Sequence, residues 1–416
     1  MWSEAEVTVA STPAPQKEPL RLRPRGSSQG GLRQYNERVV LQAIRLHGAL
    51  PGAEIARVTH LTAQTVSLIT KRLLDEGLLL KCKPVRGKVG QPSVPLALAP
   101  DGAYAIGIKV GRRSMDVLLV DFSGTVRERW TTSYAFPEPA AVLAEIATRL
   151  KDIRRKLGSE RRERLQGIGI AAPLSLGGWR ELLGMPEAIA AAWDATDLRA
   201  EVARLAGMPV DLLKDTAAAC VAELVAGRGR NVRSFLYLFV DTFIGGGLVI
   251  DSHLRAGLHG NAGAVGSLPL RTAGGAAPPQ LLSVASLFTL EQAYTQAGLD
   301  VAASGDTRAL QPPWLPHTQA WLARAADSMA LAVNSAACLL DLDGVILDGS
   351  FDTSLGAALL QQLDAALDQY SWEGVVRPLL LPGTIGSDAR ALGGAWMPLY
   401  ANFAPDHELF LKVVEA

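Results

Sequence analysis

The 416 residues are 48% hydrophobic and 20% charged, the balance of a globular protein with room for two or three domains. Equal numbers of basic and acidic side chains, 41 of each, leave no formal net charge, and no stretch reaches the roughly 18 uncharged apolar residues of a membrane span. Three widely separated cysteines, Cys82, Cys220 and Cys338, exclude a disulfide framework and paired metal-ligand spacing, and fit a reducing cytoplasm.

The neutral total conceals an asymmetry. Residues 1–100 hold 14 Lys and Arg against 7 Asp and Glu, and the remainder holds 27 against 34, so a +7 region precedes a −7 body. That distribution predicts a polyanion-binding module joined to a body that avoids polyanions. The first 30 residues, opening MWSEAEVTVASTPAPQ, are rich in Pro, Ser and Gly, have no periodicity and lack the form of a secretory signal. They read as a disordered arm whose Arg21, Arg23 and Arg25 make either a solvated tail or a phosphate or minor-groove contact.

Tyr35 to His47 has helical apolar spacing and is closed by Gly48. In GAEIARVTHLTAQTVSLITKRLLDEG (52–77), a short helix with Ile55 and Val58 meets the turn Thr59-His60-Leu61-Thr62. Thr62 is placed to cap a second helix that buries Val66, Ile69, Leu73 and Leu74 and stops at Gly77. Gln64, Thr65, Ser67 and Lys71 remain on the other face, with chemistry suited to base edges and phosphates. Leu78–Lys81 reads as a strand, Lys83–Pro92 as a basic glycine-rich loop, and Val94–Leu98 as a return strand. Three helices, a strand, a loop and a strand make a winged helix-turn-helix over residues 31–100. Gln64, Thr65 and Ser67 are expected in the major groove of double-stranded operator DNA. Lys71, Arg86, Lys88 and Gln91 are expected to contact phosphates or the adjacent minor groove.

Residues 101–416 begin with strands at Ala103–Gly111, Met115–Asp121 and Val126–Thr132, then a helix at Pro139–Leu157 and a strand at Leu165–Ala172. This order matches one lobe of an actin-like, sugar-kinase-type α/β fold. Two lobes are expected, 101–190 with the C-terminal helix, and 191–385. Helices are expected at Leu281–Ala297 and Pro316–Leu340.

Six segments in order then resemble the regulators of the ROK family (repressors, open reading frames, sugar kinases). They are AEIARVTHLTAQTVSLITKRLLDEGLL, the wing ending Gly90-Gln91-Pro92, GIKVGRRSMDVLLVDFSG, LLKDTAAACVAE, FIGGGLVIDSHLRAGLHGNAGAVGSL, and VILDGS with GSDARALGGAW. The resemblance implies a winged helix-turn-helix followed by a two-lobed effector-binding and oligomerisation domain. It also implies a sugar site built on an Asn-Asp pair with a Glu and a His.

The chain departs from that chemistry at three places. Where the kinases carry an Asp and a Gly-Gly-Thr turn, it has Lys109 and Gly111-Arg112-Arg113, so metal-assisted phosphoryl transfer is not expected. Thr242–Gly247 keeps a glycine turn, readable as a close-packed strand entry or as a phosphate cradle. Residues 268–279 contain neither Cys nor His, so no zinc site is expected. At the sugar site the pair is Lys214-Asp215, and Ala264 and Ser267 replace the Glu and His. Asp215, Lys214, Asn261, Trp193 and Ser267 are the candidate effector contacts, with Asp215 also readable as a helix cap. The expectation is a non-enzymatic cytoplasmic regulator with no cofactor, a homodimer or homotetramer. It would repress carbohydrate-utilisation genes under control of a sugar or sugar derivative. Two alternatives remain open: a vestigial cleft with control by a protein partner, and an active sugar kinase.

Overall fold

The computed structural model describes residues 29–84, 93–178, 180–271 and 277–405. Residues 1–28 of the arm and the loop residues Arg86, Lys88 and Gln91 lie outside them, while residues 29 and 30, expected in the arm, open the first helix. Three helices open the described chain: α1 (Gln29–His47), α2 (Gly52–Thr59) and α3 (Ala63–Asp75). α1 starts before Tyr35, where the apolar periodicity begins. The α2–α3 turn carries His60 in the left-handed region, and the Thr62 hydroxyl accepts the Thr65 amide at 3.2 Å, capping α3 as its spacing predicts. Two short antiparallel strands, β1 (Leu79–Lys81) and β2 (Leu96–Leu98), close the module, with Leu50 bridging to Leu96. Val40, Ile44, Ile55, Val66, Ile69 and Leu73 are buried between its helices.

The body repeats one topology twice. Its first half contains β3 (Tyr104–Val110), β4 (Ser114–Asp121), β5 (Val126–Ser133), α4 (Pro139–Arg162), β6 (Leu165–Ala172), α5 (Arg180–Leu183), α6 (Glu187–Asp194), α7 (Leu198–Ala206), β7 (Val210–Lys214) and α8 (Asp215–Ala226). The sheet order is β5-β4-β3-β6-β7, with the hairpin strands antiparallel and β3, β6 and β7 parallel. The second half contains β8 (Phe235–Val240), β9 (Gly245–Ile250), β10 (His253–Arg255), α9 (Leu282–Ala285), α10 (Leu287–Gln296), α11 (Leu315–Leu340), β11 (Gly344–Gly349), α12 (Thr353–Leu367), β12 (Leu379–Pro382) and α13 (Ala389–Phe403). Its order, β10-β9-β8-β11-β12, is the same arrangement. Central strands β3 and β8 are buried throughout, as expected for apolar runs covered on both faces.

Two expectations need correction. The first sheet does not end near residue 190 but continues through β7 to Lys214, because its fifth strand follows α6 and α7. The helix expected over 281–297 breaks at Ser286, whose hydroxyl accepts the Ile244 amide at 2.9 Å and donates to the Leu282 carbonyl.

α13 is the central rod. A Cβ on Gly169 of β6 would lie 1.9 Å from the Gly394 carbonyl oxygen, and one on Gly393 would lie 1.7 Å from that of Ala218 in α8. Glycine is therefore required for α13 to sit between the first sheet and α8. Both the start of α8 and the start of α13 face the region between the lobes.

Candidate functional site

Two cavities flank these helix starts. The first, about 280 Å3, is lined by Lys214 from the end of β7, Asp215 from the start of α8, and Asn261 and Ser267 from the loop after β10. Leu174, Phe243 and Leu282 supply apolar walls. Asp215 accepts the amide of Thr216 at 2.8 Å, so its carboxylate also stabilises the positive end of α8. The Thr216 hydroxyl donates to the Gly246 carbonyl at 2.9 Å, which fixes the first turn of α8 against β9. Gly245, Gly246 and Gly247 are close-packed there: a Cβ on Gly245 would meet the Thr216 side chain at 2.6 Å, and one on Gly247 the Cys220 side chain at 2.5 Å. The glycine run is thus explained by strand packing.

Arg112, in the β3–β4 turn, forms one wall. Its guanidinium donates to the carbonyls of Ser175 (3.2 Å) and Gly178 (3.1 Å) and lies 5.1 Å from the Phe243 ring centroid, fastening the 173–178 loop over the cavity. Burial lowers the pKa of Arg112, and Asp215 partly offsets the shift. Lys214 is half-buried, and burial lowers its pKa against the opposing pull of Asp215. Its ammonium has neither an ion pair nor a hydrogen bond among the described residues. Four of the five candidate effector contacts therefore meet in one cavity. Trp193 does not join them. It is buried in the first-lobe core and its indole N–H donates to the Pro137 carbonyl at 2.6 Å. It belongs to the structure of that lobe.

The second cavity, about 510 Å3, lies between the lobes and is lined by Lys109 and Arg113 among others. Its charges answer one another. Lys109 is buried and donates to Ser114 (2.6 Å) and Asp116 (2.9 Å). Arg390, buried at the start of α13, pairs with Asp241 and donates to the Ser350 hydroxyl at 3.1 Å. Arg113 pairs with Glu291 across the lobes, and Arg129 with Asp388. Burial pushes the Asp241 carboxyl up, but Arg390 and Lys109 more than offset this and hold it below its ordinary value. Burial holds Glu291 above its ordinary value despite Arg113.

At the far end of α13 the N-terminal module is docked by its core. Arg45 of α1 is sandwiched between Phe122 and Trp396, 5.0 and 4.9 Å from the ring centroids, and donates to the Phe122 carbonyl at 2.9 Å. Burial brings its pKa down to about 10, so it is charged at neutral pH. Gln42 donates to the Tyr400 hydroxyl at 3.4 Å, and Arg38 to the Ala404 carbonyl at 3.3 Å. The apolar core of the module is continuous with Trp396, Leu399 and Tyr400 of α13. Sequence spacing offered no signal for Arg45, because its partners lie in distant segments.

On the outer face of α3, Gln64, Ser67 and Lys71 are exposed, while Thr65 is half-buried with its hydroxyl 2.8 Å from that of Thr62. Leu68, 66% exposed between them, was not anticipated. No group of three His, Cys, Asp or Glu is placed to hold a metal, and no helix is long and apolar enough to cross a membrane, among the described residues.

The duplicated α/β body, with a polar cavity at the start of α8, defines a two-lobed sugar-kinase-type domain. The ROK family profile matches residues 105–399, and the chain belongs to that family. It is 24% identical over 371 residues to the uncharacterized protein y4fQ of Sinorhizobium fredii, covering 88% of this chain and 91% of that one. It is 22% identical over 244 residues to the xylose repressor of Bacillus subtilis, a match that takes in 59% of this chain and 62% of the repressor. Among solved structures, a ROK family transcriptional regulator, a homologue of the E. coli MLC protein, superposes with a TM-score of 0.64 at 19% identity, covering 90% of this chain and 98% of that one.

Proposed function

We propose that the chain is a cytoplasmic DNA-binding transcriptional regulator, a repressor of carbohydrate-utilisation genes controlled by a sugar or sugar derivative in the cavity at Asp215. The N-terminal module acts as a winged helix-turn-helix, with α3 presenting Gln64, Thr65 and Ser67 to base edges and Lys71 to phosphate. The chain works as a homodimer, since paired recognition helices read a two-fold site. It is not an enzyme.

The observation that carries this reading is the continuity from cavity to module. Asp215 opens α8, α8 packs against α13 at Ala218 and Gly393, and the last turns of α13 hold α1 through Trp396 and Tyr400. A ligand that binds better to one arrangement of the lobes shifts α8 and α13 together, and with them the separation of two recognition helices. Such coupling needs only a difference in ligand affinity between two states.

The test is to select DNA sites for the full chain from a random library and measure affinity with and without ligands that raise its melting temperature. A two-fold site should emerge, and Gln64→Ala should weaken it by about 1–3 kcal/mol if that side chain reads a base. Arg45→Ala should still bind ligand, but the ligand should no longer alter DNA affinity. Selection of no sequence, or ligand binding that leaves DNA affinity unchanged in the wild type, would defeat the proposal.

A further inference from the structure

The side chains lining the first cavity are unevenly charged: Arg112 and Lys214 face a single carboxylate, Asp215. That carboxylate is already engaged, since one of its oxygens accepts the Thr216 amide at the positive end of α8. Arg112 gives hydrogen bonds to the carbonyls of Ser175 and Gly178 and so holds the loop that covers the cavity. Lys214 stands directly beside Asp215, yet the two form no ion pair among the described residues. Its ammonium is partly withdrawn from bulk water, and the pull of Asp215 only partly offsets that burial. A half-buried cation in that position is costly unless something of opposite charge arrives. Asn261 and Ser267 supply neutral polar groups on the same walls, and Phe243 and Leu174 an apolar surface. The volume, about 280 Å3, is at the small end of ligand pockets and suits a monosaccharide-sized molecule.

We propose that the effector is an anionic sugar derivative whose carboxylate or phosphate docks on the ammonium of Lys214, with its hydroxyls directed to Asp215, Asn261 and Ser267. This inference rests on the reading of the cavity as the effector site. Lys214 then sets specificity: it selects the charged derivative over its neutral parent, because the parent leaves the cation without a counter-charge. Asp215 sets the orientation, since it repels the anion and accepts hydroxyl protons at the opposite side.

The experiment is a thermal-shift screen followed by calorimetry on the full chain, with matched sets: glucose, gluconate, glucuronate and glucose 6-phosphate, and the corresponding xylose, galactose and mannose series. Acetate and inorganic phosphate serve as anion controls. At least one sugar acid or sugar phosphate should bind about tenfold or more tightly than its neutral parent, a preference that weakens as salt rises. The carboxylate and phosphate arms decide between the two anions. Lys214→Gln should abolish the preference, and Lys214→Arg should retain it, with circular dichroism melts confirming that both variants fold. A neutral sugar that binds as tightly as its charged derivatives, or a preference that survives in Lys214→Gln, would overturn the inference while leaving the sensor reading standing. Stabilisation by inorganic phosphate or acetate as strong as by any sugar derivative would also overturn it, since the site would then hold an ion alone. No binding by any member at millimolar concentration would overturn both.

Discussion

The two cavities beside α8 and α13 contain similar residue types and differ in what those residues touch. In the cleft between the lobes, Lys109, Arg113, Arg129 and Arg390 each have a carboxylate partner. At the Asp215 cavity, the Lys214 ammonium has none among the described residues, and Asn261 and Ser267 face open space. The first arrangement satisfies its charges within and across the lobes, and the second can receive a ligand. A polar pocket is therefore judged by which of its groups are already engaged. The comparison also bears on nucleotide. Phosphate binding in the cleft would have to separate cations from Asp116, Asp241, Glu291 and Asp388 and leave those carboxylates exposed to the new negative charge.

The comparison can be broken most forcefully at Arg390 and Asp241. Removing one member of a buried pair leaves the other charge uncompensated, and Arg390 is almost fully buried. Asp241→Ala should therefore lower stability by about 3–5 kcal/mol in urea unfolding, with ligand affinity at the Asp215 cavity retained in the folded fraction. The pH dependence carries a sign. Because Asp241 titrates in the folded state below its ordinary 3.8, its contribution is present above that value and is lost as pH falls through the lower folded value. Asp241→Asn should flatten that acid limb. A variant as stable as the wild type at pH 7 would show that the cleft charges do not hold the lobes.

At the other cavity the effect should fall on binding. Asp215 lines an open pocket, accepts one amide within its own helix and supports the charged forms of Arg112, Lys214 and Arg390. Asp215→Asn should lower stability by about 1–2 kcal/mol, less than Asp241→Ala, because it breaks no close ion pair. It should weaken a bound sugar derivative by about 1.5–3 kcal/mol, since hydrogen bonds to a charged acceptor are lost. A large stability loss with unchanged ligand affinity would reverse the roles assigned to the two regions.

The legible parts of the sequence were those written locally. Thr62, Gly77 and the spacing of Val66, Ile69 and Leu73 specify α3 within one short segment, and the structure agrees. The order of strands and helices gave four strands of the first sheet; residues 209–213 also read as a strand, but one assigned to the second lobe, because nothing local distinguishes a strand at the sheet edge from one that begins a new lobe. The placement of Lys214, Asp215, Asn261 and Ser267 together followed from family motifs aligned in order. Trp193 lies apart from those four, since a large aromatic fits a core as well as a sugar face and this one is buried with its indole N–H on the Pro137 carbonyl. Arg45 was invisible for a different reason. A cation inside an apolar helix face looks like a solvated residue until Phe122 and Trp396 are brought to either side of it.

The most delicate contrast is at Arg113 and Glu291, where the cleft is latched across the lobes by a partly exposed pair. Burial alone would hold the Glu291 carboxyl high, and Arg113 offsets that shift without removing it. A carboxylate raised above its ordinary value costs stability once ionised, so its unfavourable contribution appears as pH rises through the folded value. Arg113→Gln removes the offset. The loss should be only about 0–1 kcal/mol, as for other exposed pairs, and should shrink toward acid pH where Glu291 is protonated in both proteins. Arg113→Gln combined with Glu291→Gln should recover most of it, since neither charge then remains. Glu291→Gln alone acts in the opposite sense: it leaves Arg113 without its carboxylate, so millimolar ATP-Mg should stabilise that variant where it leaves the wild type unmoved. A wild type that is itself stabilised by ATP-Mg would show that these ion pairs yield to phosphate, and the distinction between the engaged cleft and the receptive cavity would fail.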